Sequence, residues 1–202
     1  MYKIDIVFSK IFHYTNMTKV QNELRQKRGI YYRINGELRE YKHLLKSYIT
    51  TTRFTEKTWE ENCNYRKNHP QYQCIYGACE SVSSELEKNI PLLVLEMNND
   101  TNQIMGIGMI RNIAHYRKHT IYSNEEYNRV SYVGKYRIDR SEMDEEEETV
   151  MKAFDILCFK GARHMKRLRG IKTFSVDVLF RVKKVMDLDK FVKNMFAKRL
   201  NV

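Results

Sequence analysis

Two apolar runs separated by a short polar segment constrain the fold more than any other feature of the chain. Residues 91–97 read Pro-Leu-Leu-Val-Leu-Glu-Met, and residues 103–113 read Gln-Ile-Met-Gly-Ile-Gly-Met-Ile-Arg-Asn-Ile. Residues 98–102 lie between them and are rich in Asn and Asp, which favour turns. Apolar runs of strand length on either side of a turn predict a buried β-hairpin.

The second run contains Gly106 and Gly108, which share one face of the predicted strand. Glycine weakens a strand unless a bulge, a barrel corner or a closely approaching group requires a missing side chain. Residues 127–138 are rich in Tyr and Val, contain Gly134, and predict one or two further strands. Short strands with interior glycines favour a small mixed β-barrel over an open parallel sheet.

Helical patterns lie on both sides of this β region. Apolar spacing over 38–49 predicts a helix after a turn at Asn35-Gly36, and Thr55 is positioned to cap a helix that carries Trp59. Residues 50–53 are expected to form a loop between these helices. The segments that follow the β region are predicted to be a helix over 141–160, a basic loop over 162–172, a strand over 173–179 and a C-terminal amphipathic helix over 181–200.

The length of 202 residues, with no linker and no internal repeat, predicts a single α+β domain over 1–202. Its positive charge is concentrated near the C-terminal end. The formal net charge is +11, and residues 160–202 carry 13 basic against three acidic residues. This asymmetry is typical of a region that contacts a polyanion, most often nucleic acid. An acidic protein, a membrane surface and a charged face that only maintains solubility are the alternatives.

The densest part of the basic region is a loop of thirteen residues, 160–172, which contains six cations together with Gly161 and Gly170. Arginine can bind a phosphate through two parallel hydrogen bonds, and lysine adds a compact positive charge. The predicted nucleic-acid-binding residues are Lys160, Arg163, Lys166, Arg167, Arg169 and Lys172.

Aromatic residues make up 12% of the chain, with 14 Tyr, nine Phe and one Trp. Rings beside a basic surface can stack on bases, and two or three rings can enclose a flipped or modified base. The candidates for such an aromatic pocket are Trp59, Tyr31, Tyr32, Tyr132 and Tyr136. The competing interpretation is that the tyrosines pack with their hydroxyls at the surface and that Trp59 attaches its helix to the core.

One set of residues has the composition of a zinc site, namely Cys63, His69, Cys74 and Cys79. The closely spaced pair of cysteines that begins most zinc knuckles is missing, so we expect reduced thiols and no metal or other cofactor. The four glutamates at 145–148 are expected to stabilise the first turn of a helix. No complete catalytic motif is present, which favours a binding protein over an enzyme.

The predicted hairpin resembles the strand pair of PUA-like barrels, the group that includes the EVE, ASCH and YTH domains. The similar run is LLVLEMNNDTNQIMGIGMIRN, and the resemblance covers about residues 54–140. It implies a small barrel decorated by helices that reads RNA or a modified base in a pocket. The composition, rich in Lys, Asn, Tyr and Ile, is similar to that of uncharacterised proteins of large nucleocytoplasmic DNA viruses.

These observations favour a nucleic-acid-binding module that contacts phosphates through the basic loop and a base in an aromatic pocket. Two alternatives stay open, a polyanion-binding structural or packaging protein of a virion and a metal-dependent nuclease with an unrecognised site. The expected partner is RNA or DNA, with other proteins at the Tyr-rich surface. No apolar run approaches the roughly 18 residues of a membrane span. The N-terminal residues do not resemble a secretory signal, so the expected location is intracellular: cytoplasmic, nuclear or virion-associated.

Overall fold

The computed structural model of the chain describes residues 28–161 and 164–200, with side chains from residue 34 onward. Within these ranges the helices are α1 (Arg28–Leu44), α2 (Glu56–Asn68), α3 (Glu145–Phe159), α4 (Val176–Val182) and α5 (Leu188–Leu200). The strands are β1 (Tyr48–Phe54), β2 (Cys74–Ala78), β3 (Pro91–Asn98), β4 (Gln103–Arg111), β5 (His115–Tyr116), β6 (Val130–Gly134), β7 (Tyr136–Asp139) and β8 (Lys172–Thr173).

The predicted hairpin is confirmed and forms the centre of a five-stranded sheet. β3 and β4 pair in antiparallel register from Pro91 opposite Arg111 to Asn98 opposite Gln103. β1 runs parallel to β3, and the order of the sheet is β7-β4-β3-β1-β8. Every residue of β3 after Pro91 is buried, which explains why its sequence is a continuous apolar run rather than an alternating one.

The prediction of a loop over residues 50–53 is wrong, because these residues belong to β1. Thr50, Thr51 and Thr52 are almost completely buried between β3 and β8. Threonine is β-branched and suits a strand, but its hydroxyl hides it from a search for apolar periodicity. The predicted helix over 38–49 also extends too far, because α1 ends at Leu44 and β1 already begins at Tyr48.

The predicted turn at Asn35-Gly36 is also wrong, because both residues lie inside α1. Tertiary packing accounts for the difference. Tyr41 of the same helix is 8% exposed, and its ring lies 5.6 Å from that of Phe180 on α4. Contacts of this kind stabilise a helix more strongly than a local glycine weakens it.

A second sheet with the strand order β2-β6-β5 packs against one face of the first. The chain passes from one sheet to the other at Lys135, which separates β6 from β7. This confirms that residues 127–138 contribute two strands, and the fold is α+β as predicted. The predicted closed barrel is not formed within the described residues, because β2 pairs only with β6 and β7 pairs only with β4.

The central sheet separates two hydrophobic cores. Leu93, Leu95 and Met97 of β3 face the core that is shared with the helices α3, α4 and α5. Leu92 and Val94 face the core between the two sheets, which α2 also covers. This alternation along one strand is the reason why β3 is buried on both faces.

The predicted C-terminal helix over 181–200 is divided into α4 and α5. The side chain of Asp187 accepts a hydrogen bond of 3.1 Å from the backbone N–H of Lys190, which places a capping residue at the start of α5. The predicted strand over 173–179 is wrong beyond Thr173, because Ser175 caps α4. The apolar stripe predicted for this region is buried in the core, with Val182, Val192, Met195 and Phe196 at most 3% exposed.

A charged cluster is buried between the two sheets. Glu96 of β3 is fully buried and accepts hydrogen bonds of 2.8–3.0 Å from the guanidinium of Arg137 on β7. The hydroxyl of Tyr76 on β2 donates to the same carboxylate at 2.8 Å, and Arg137 also contacts Asp139 at 2.7 Å. Burial by itself would lower the pKa of Arg137, but the Glu96 carboxylate raises it above the usual value.

This cluster lies so close to β4 that Gly106 and Gly108 have no room for a side chain. A Cβ atom at Gly106 would come within 2.7 Å of Nη2 of Arg137, and one at Gly108 would come within 1.9 Å of the Tyr76 hydroxyl. The register of the hairpin shifts between Leu95 and Met97, next to Glu96. The glycines of β4 are therefore explained by the close approach of Arg137 and Tyr76 and by the bulge, which are two of the causes proposed from the sequence.

Replacing Gly108 with Ala should lower the free energy of unfolding by about 1–3 kcal/mol, the usual cost of overpacking a core. The matched control is Gly36→Ala in α1, where an added Cβ meets no atom within 4 Å. That variant should be more stable than the wild type by about 0.5–1 kcal/mol, because alanine is the better helix former. Urea unfolding of both variants measures the difference, and wild-type stability of Gly108→Ala would contradict the packing described above.

Candidate nucleic-acid interface

The basic loop after α3 is attached to the ends of the central strands. Lys166 donates a hydrogen bond of 2.7 Å from Nζ to Oδ1 of Asn102 in the hairpin turn. Its backbone carbonyl accepts hydrogen bonds of 3.0 Å from Arg53 at the end of β1 and from Asn99 after β3. Met165 beside it is 8% exposed and anchors the loop in the core. These contacts fix the loop at the carboxyl ends of β1 and β3.

The predicted cations differ in their availability. Arg167 and Arg169 are exposed, and within the described part of the chain neither side chain has a hydrogen-bond or ion-pair partner. Lys160 is exposed at the end of α3. Lys172 is paired with Glu80 at 2.5 Å, and this hydrogen bond lowers the pKa of the Glu80 carboxyl. Arg163 lies outside the described residues.

A cavity of about 190 Å³ opens beside Arg169. It lies where β1 ends and α2 begins. Asn99, which follows β3, and Gly77 and Ala78 at the end of β2 complete its walls. The lining residues are Thr52, Arg53, Phe54, Thr55, Thr58, Gly77, Ala78, Asn99, Tyr122, Tyr127, Arg169 and Gly170. Two arginines and no carboxylate are among them, so the charge of the lining is positive.

Aromatic rings form one side of this cavity. Tyr122 and Tyr127 pack edge to face, with ring centroids 6.2 Å apart and an interplanar angle of 88°. Tyr122 is 5% exposed, its hydroxyl accepts a hydrogen bond of 3.2 Å from Asn62, and burial raises its pKa to about 12. Phe54, which is 2% exposed, adds a third ring at the end of β1. The hydroxyl of Tyr122 is thus fixed, whereas the half-buried Tyr127 is available to a ligand.

The cavity also contains unused hydrogen-bonding capacity. Oδ1 of Asn99 is buried and has no hydrogen-bond partner, although Nδ2 of the same amide donates to the Lys166 carbonyl. Arg53 uses Nη1 for that carbonyl and has further N–H donors. A buried acceptor without a partner is costly, so a ligand that donates a hydrogen bond to Asn99 would be favoured.

Of the five aromatic residues predicted for a pocket, the three with described side chains lie at different positions. Trp59 packs edge to face on Phe54 with ring centroids 5.2 Å apart, and lies one layer behind the cavity. Tyr132 is 1% exposed, and its hydroxyl accepts a hydrogen bond from the backbone N–H of Val82, so it is a core residue. Tyr136 is exposed and lines a different groove. The side chains of Tyr31 and Tyr32 lie outside the described residues.

Sequence reasoning missed the residues that do form the aromatic wall, Phe54, Tyr122 and Tyr127. The sequence contains one feature that could have indicated this wall: Phe54 directly precedes Thr55, where a strand ends and a capped helix begins. Tyr122 precedes the predicted strand region 127–138 and Tyr127 stands at its first position, and nothing in the sequence brings either residue near β1. Their contribution depends on how β2 and β6 pair.

The cysteine and histidine set has separate contacts. Cys63 accepts a hydrogen bond of 3.2 Å from Arg66, and His69 stacks on Tyr65 with ring centroids 4.0 Å apart. Cys74 is fully buried, and burial raises the pKa of its thiol to about 12. In the part of the chain that the structure describes, no three His, Cys, Asp or Glu side chains are grouped so that they could hold a metal ion. All four cysteines are free thiols.

His119 is 7% exposed and packs against Tyr65 of α2. Its Nδ1 forms a hydrogen bond of 2.9 Å with the Tyr65 hydroxyl, and its Nε2 is buried without a partner. Burial lowers the pKa of His119, and the nearby Lys118, His115 and His69 lower it further. The neutral form of this ring is therefore favoured in the folded protein.

Because the pKa of His119 is lowered by folding, its contribution to stability is present above the ordinary histidine pKa of about 6.5 and is lost as the pH falls below it. We therefore expect the free energy of unfolding to decrease from pH 7 to pH 5, and to decrease less in His119→Gln. Urea unfolding across this range is the measurement. His43→Gln, exposed near the end of α1, is the control and should keep the wild-type profile. Equal profiles for wild type and His119→Gln would refute the assignment.

No protein-family model, curated protein or solved structure matches this chain. Among the helices of residues 28–161 and 164–200, none combines the length and the apolar character that a membrane span requires.

Proposed function

We propose that the protein binds single-stranded nucleic acid, with one base in the aromatic cavity and the adjoining phosphates on the basic loop. The observation that carries this proposal is the position of Arg169 and Gly170, which belong to the basic loop and also line the cavity. A site for phosphate and a site for a planar ring are thereby adjacent. Nucleic acid is the ligand that presents these two groups side by side.

The dimensions of the cavity support a single base. A volume of about 190 Å³ is below the roughly 300–1,000 Å³ of pockets for drug-sized ligands. Tyr127 offers a ring for stacking, which contributes about 1–3 kcal/mol per base in proteins that bind single strands. A base paired within a duplex could not enter such a cavity without leaving its stack.

The polar atoms of the cavity fit the edge of a base. Arg53 has N–H donors to spare, and Asn99 of the same lining has a buried Oδ1 without a hydrogen-bond partner. Bases carry donors and acceptors next to each other along their edges, and amide and guanidinium groups are the usual partners. A ligand that satisfies both groups gains affinity because neither remains unpaired.

The phosphate contacts are assigned to Arg167 and Arg169. They are the exposed arginines of the described loop that no carboxylate neutralises, whereas Lys172 is paired with Glu80. Guanidinium groups bind phosphate through two hydrogen bonds, and the release of counterions makes such binding dependent on salt. Lys166 adds a further charge close by, although its Nζ contacts Asn102.

The proposal also assigns the α+β fold to the PUA-like group. The central hairpin and the passage of the chain from one sheet to the other at Lys135 support this assignment. The RNA or DNA ligand, a modified base and an intracellular location belong to the same proposal. A packaging protein that binds any polyanion is the alternative, and it is distinguished by whether the base contributes to affinity.

Replacing Arg167 and Arg169 together with Ala should weaken the binding of a 6-nucleotide single strand and lower the slope of log K against log salt by about 1.4, the value for two single-strand phosphate contacts. Fluorescence anisotropy at several salt concentrations measures both effects. Lys184→Ala with Lys190→Ala removes the same charge from exposed positions on the helical side, and should leave the slope near the wild-type value. Identical slopes for the two double variants would place the phosphates elsewhere.

Tyr127→Ala should weaken the binding of the same oligonucleotide by about 5- to 150-fold, the equivalent of one stacked base. Tyr127→Phe keeps the ring and should bind as the wild type does. An oligonucleotide with abasic linkers in place of its nucleosides should bind the wild type as weakly as the normal one binds Tyr127→Ala. If the abasic strand binds the wild type as tightly as the normal strand, the protein recognises only the polyanion and the packaging alternative is correct.

A further inference from the structure

A second groove, of about 370 Å³, lies at the opposite end of the central sheet. β4 spans the distance between the two sites. Gln103, at its first position, lies next to the hairpin turn, and Arg111, at its last position, lines the groove. The side chains that line it include Tyr72, Arg111, Ile113, His115, Lys135 and Tyr136. None of them belongs to the cavity described above.

The floor of the groove is formed by a close approach of two strands. The bend between β6 and β7 brings Gly134 so near to β4 that an added Cβ would lie 2.1 Å from the carbonyl oxygen of Met109. The thiol of the buried Cys74 donates a hydrogen bond of 3.4 Å to the backbone carbonyl of Tyr136. The backbone that carries Lys135 and Tyr136 is therefore held in place, and both side chains are exposed.

Aromatic rings line the groove and continue beyond it. Tyr72 and His115 both pack edge to face on the buried His119, with centroid distances of 5.3 and 6.2 Å. Tyr136 is 45% exposed and Tyr116, next to His115 in β5, is 69% exposed. The described residues have five large hydrophobic side chains that are exposed, and three of them (Ile113, Tyr116 and Tyr136) belong to this region. Such a concentration marks an interaction surface.

The charge of the groove indicates what it binds. Arg111 and Lys135 are both exposed, and the lining contains no carboxylate. Arg117 and Lys118 are exposed on the segment that continues from the groove. Apolar rings beside Arg111 and Lys135 are complementary to a chain of phosphates that carries stacked bases, whereas Arg117 shares a neighbouring pocket with Glu125 and Glu126. An uncharged apolar partner would not require the two cations of the lining.

We propose that this groove binds a second stretch of the same single strand whose base occupies the cavity. The inference takes from the proposed function only the identity of the ligand. The nine residues of β4, at about 3.4 Å each, separate the two sites by roughly 27 Å. A stacked strand advances about 3.4 Å per nucleotide, so about eight nucleotides are needed to connect them. A longer strand then binds at both sites and gains affinity from the linkage.

The test compares 6-nucleotide and 20-nucleotide single strands by fluorescence anisotropy. The wild type should bind the longer strand at least roughly tenfold more tightly, which is a gain that linkage of two weak sites provides. The triple variant Arg111→Ala, Lys135→Ala, Tyr136→Ala should lose most of this advantage and keep the affinity for the 6-nucleotide strand. The control Lys184→Ala with Lys190→Ala should keep the advantage. Thermal unfolding verifies that the variants fold.

Photo-cross-linking with a 20-nucleotide strand that contains 5-iodouridine gives a direct readout. Cross-links in the peptide around Tyr136 or Tyr72 support the groove, and cross-links around Tyr127 support the cavity. Groove cross-links without an effect of Tyr127→Ala would leave the groove in place and refute the base cavity. An unchanged length advantage in the triple variant, an absence of groove cross-links, or equal displacement of the strand by poly-L-glutamate would overturn the inference.

Discussion

The buried ion pair between Glu96 and Arg137 is the interaction on which the rest of the structure depends. It joins β3 to β7 within the space between the two sheets, and the Tyr76 hydroxyl adds β2 to the same cluster. A buried charge is stable only when it is paired and hydrogen-bonded, so removing one partner typically costs about 3–5 kcal/mol. The cluster therefore fixes how the two sheets face each other, and it accounts for the glycines and the bulge of β4.

The candidate cavity follows from this arrangement. Gly77 and Ala78, which come directly after Tyr76, line the cavity at the end of β2. Trp59 lies with its ring 5.6 Å from the guanidinium carbons of both Arg66 and Arg137, and supports Phe54 from behind. The aromatic wall is thus held by the same core that contains the ion pair. A rigid support of this kind is what a binding site for a planar ring requires.

The ion pairs of the basic C-terminal region determine how much of its positive charge is available to a polyanion. Most cations of α4 and α5 and of the turn between them are paired with carboxylates; the pairs include Arg181 with Asp177, Lys183 with Asp187, Lys193 with Asp189, Lys198 with Asp144 and Arg199 with Glu147. Asp144 caps α3 and Glu147 lies in its first turn, and the Arg199 hydrogen bond lowers the pKa of Glu147. Of the described cations in residues 160–202 that no carboxylate pairs, four lie in the loop (Lys160, Lys166, Arg167 and Arg169) and two on the helical side (Lys184 and Lys190), so most of the available positive charge lies in the loop.

The amino-acid sequence by itself determined the central hairpin, the capped helix at Thr55, the close approach at Gly106 and Gly108, and the basic loop. Each of these depends on local pattern, since turn residues, caps and missing side chains act over a few positions. Only the tertiary structure decided that Thr50–Thr52 form a buried strand, and that Tyr132 is a core residue while Tyr127 faces a cavity. These outcomes depend on which strands pair across more than forty positions in the chain, as β1 does with β3, and no local pattern encodes that choice.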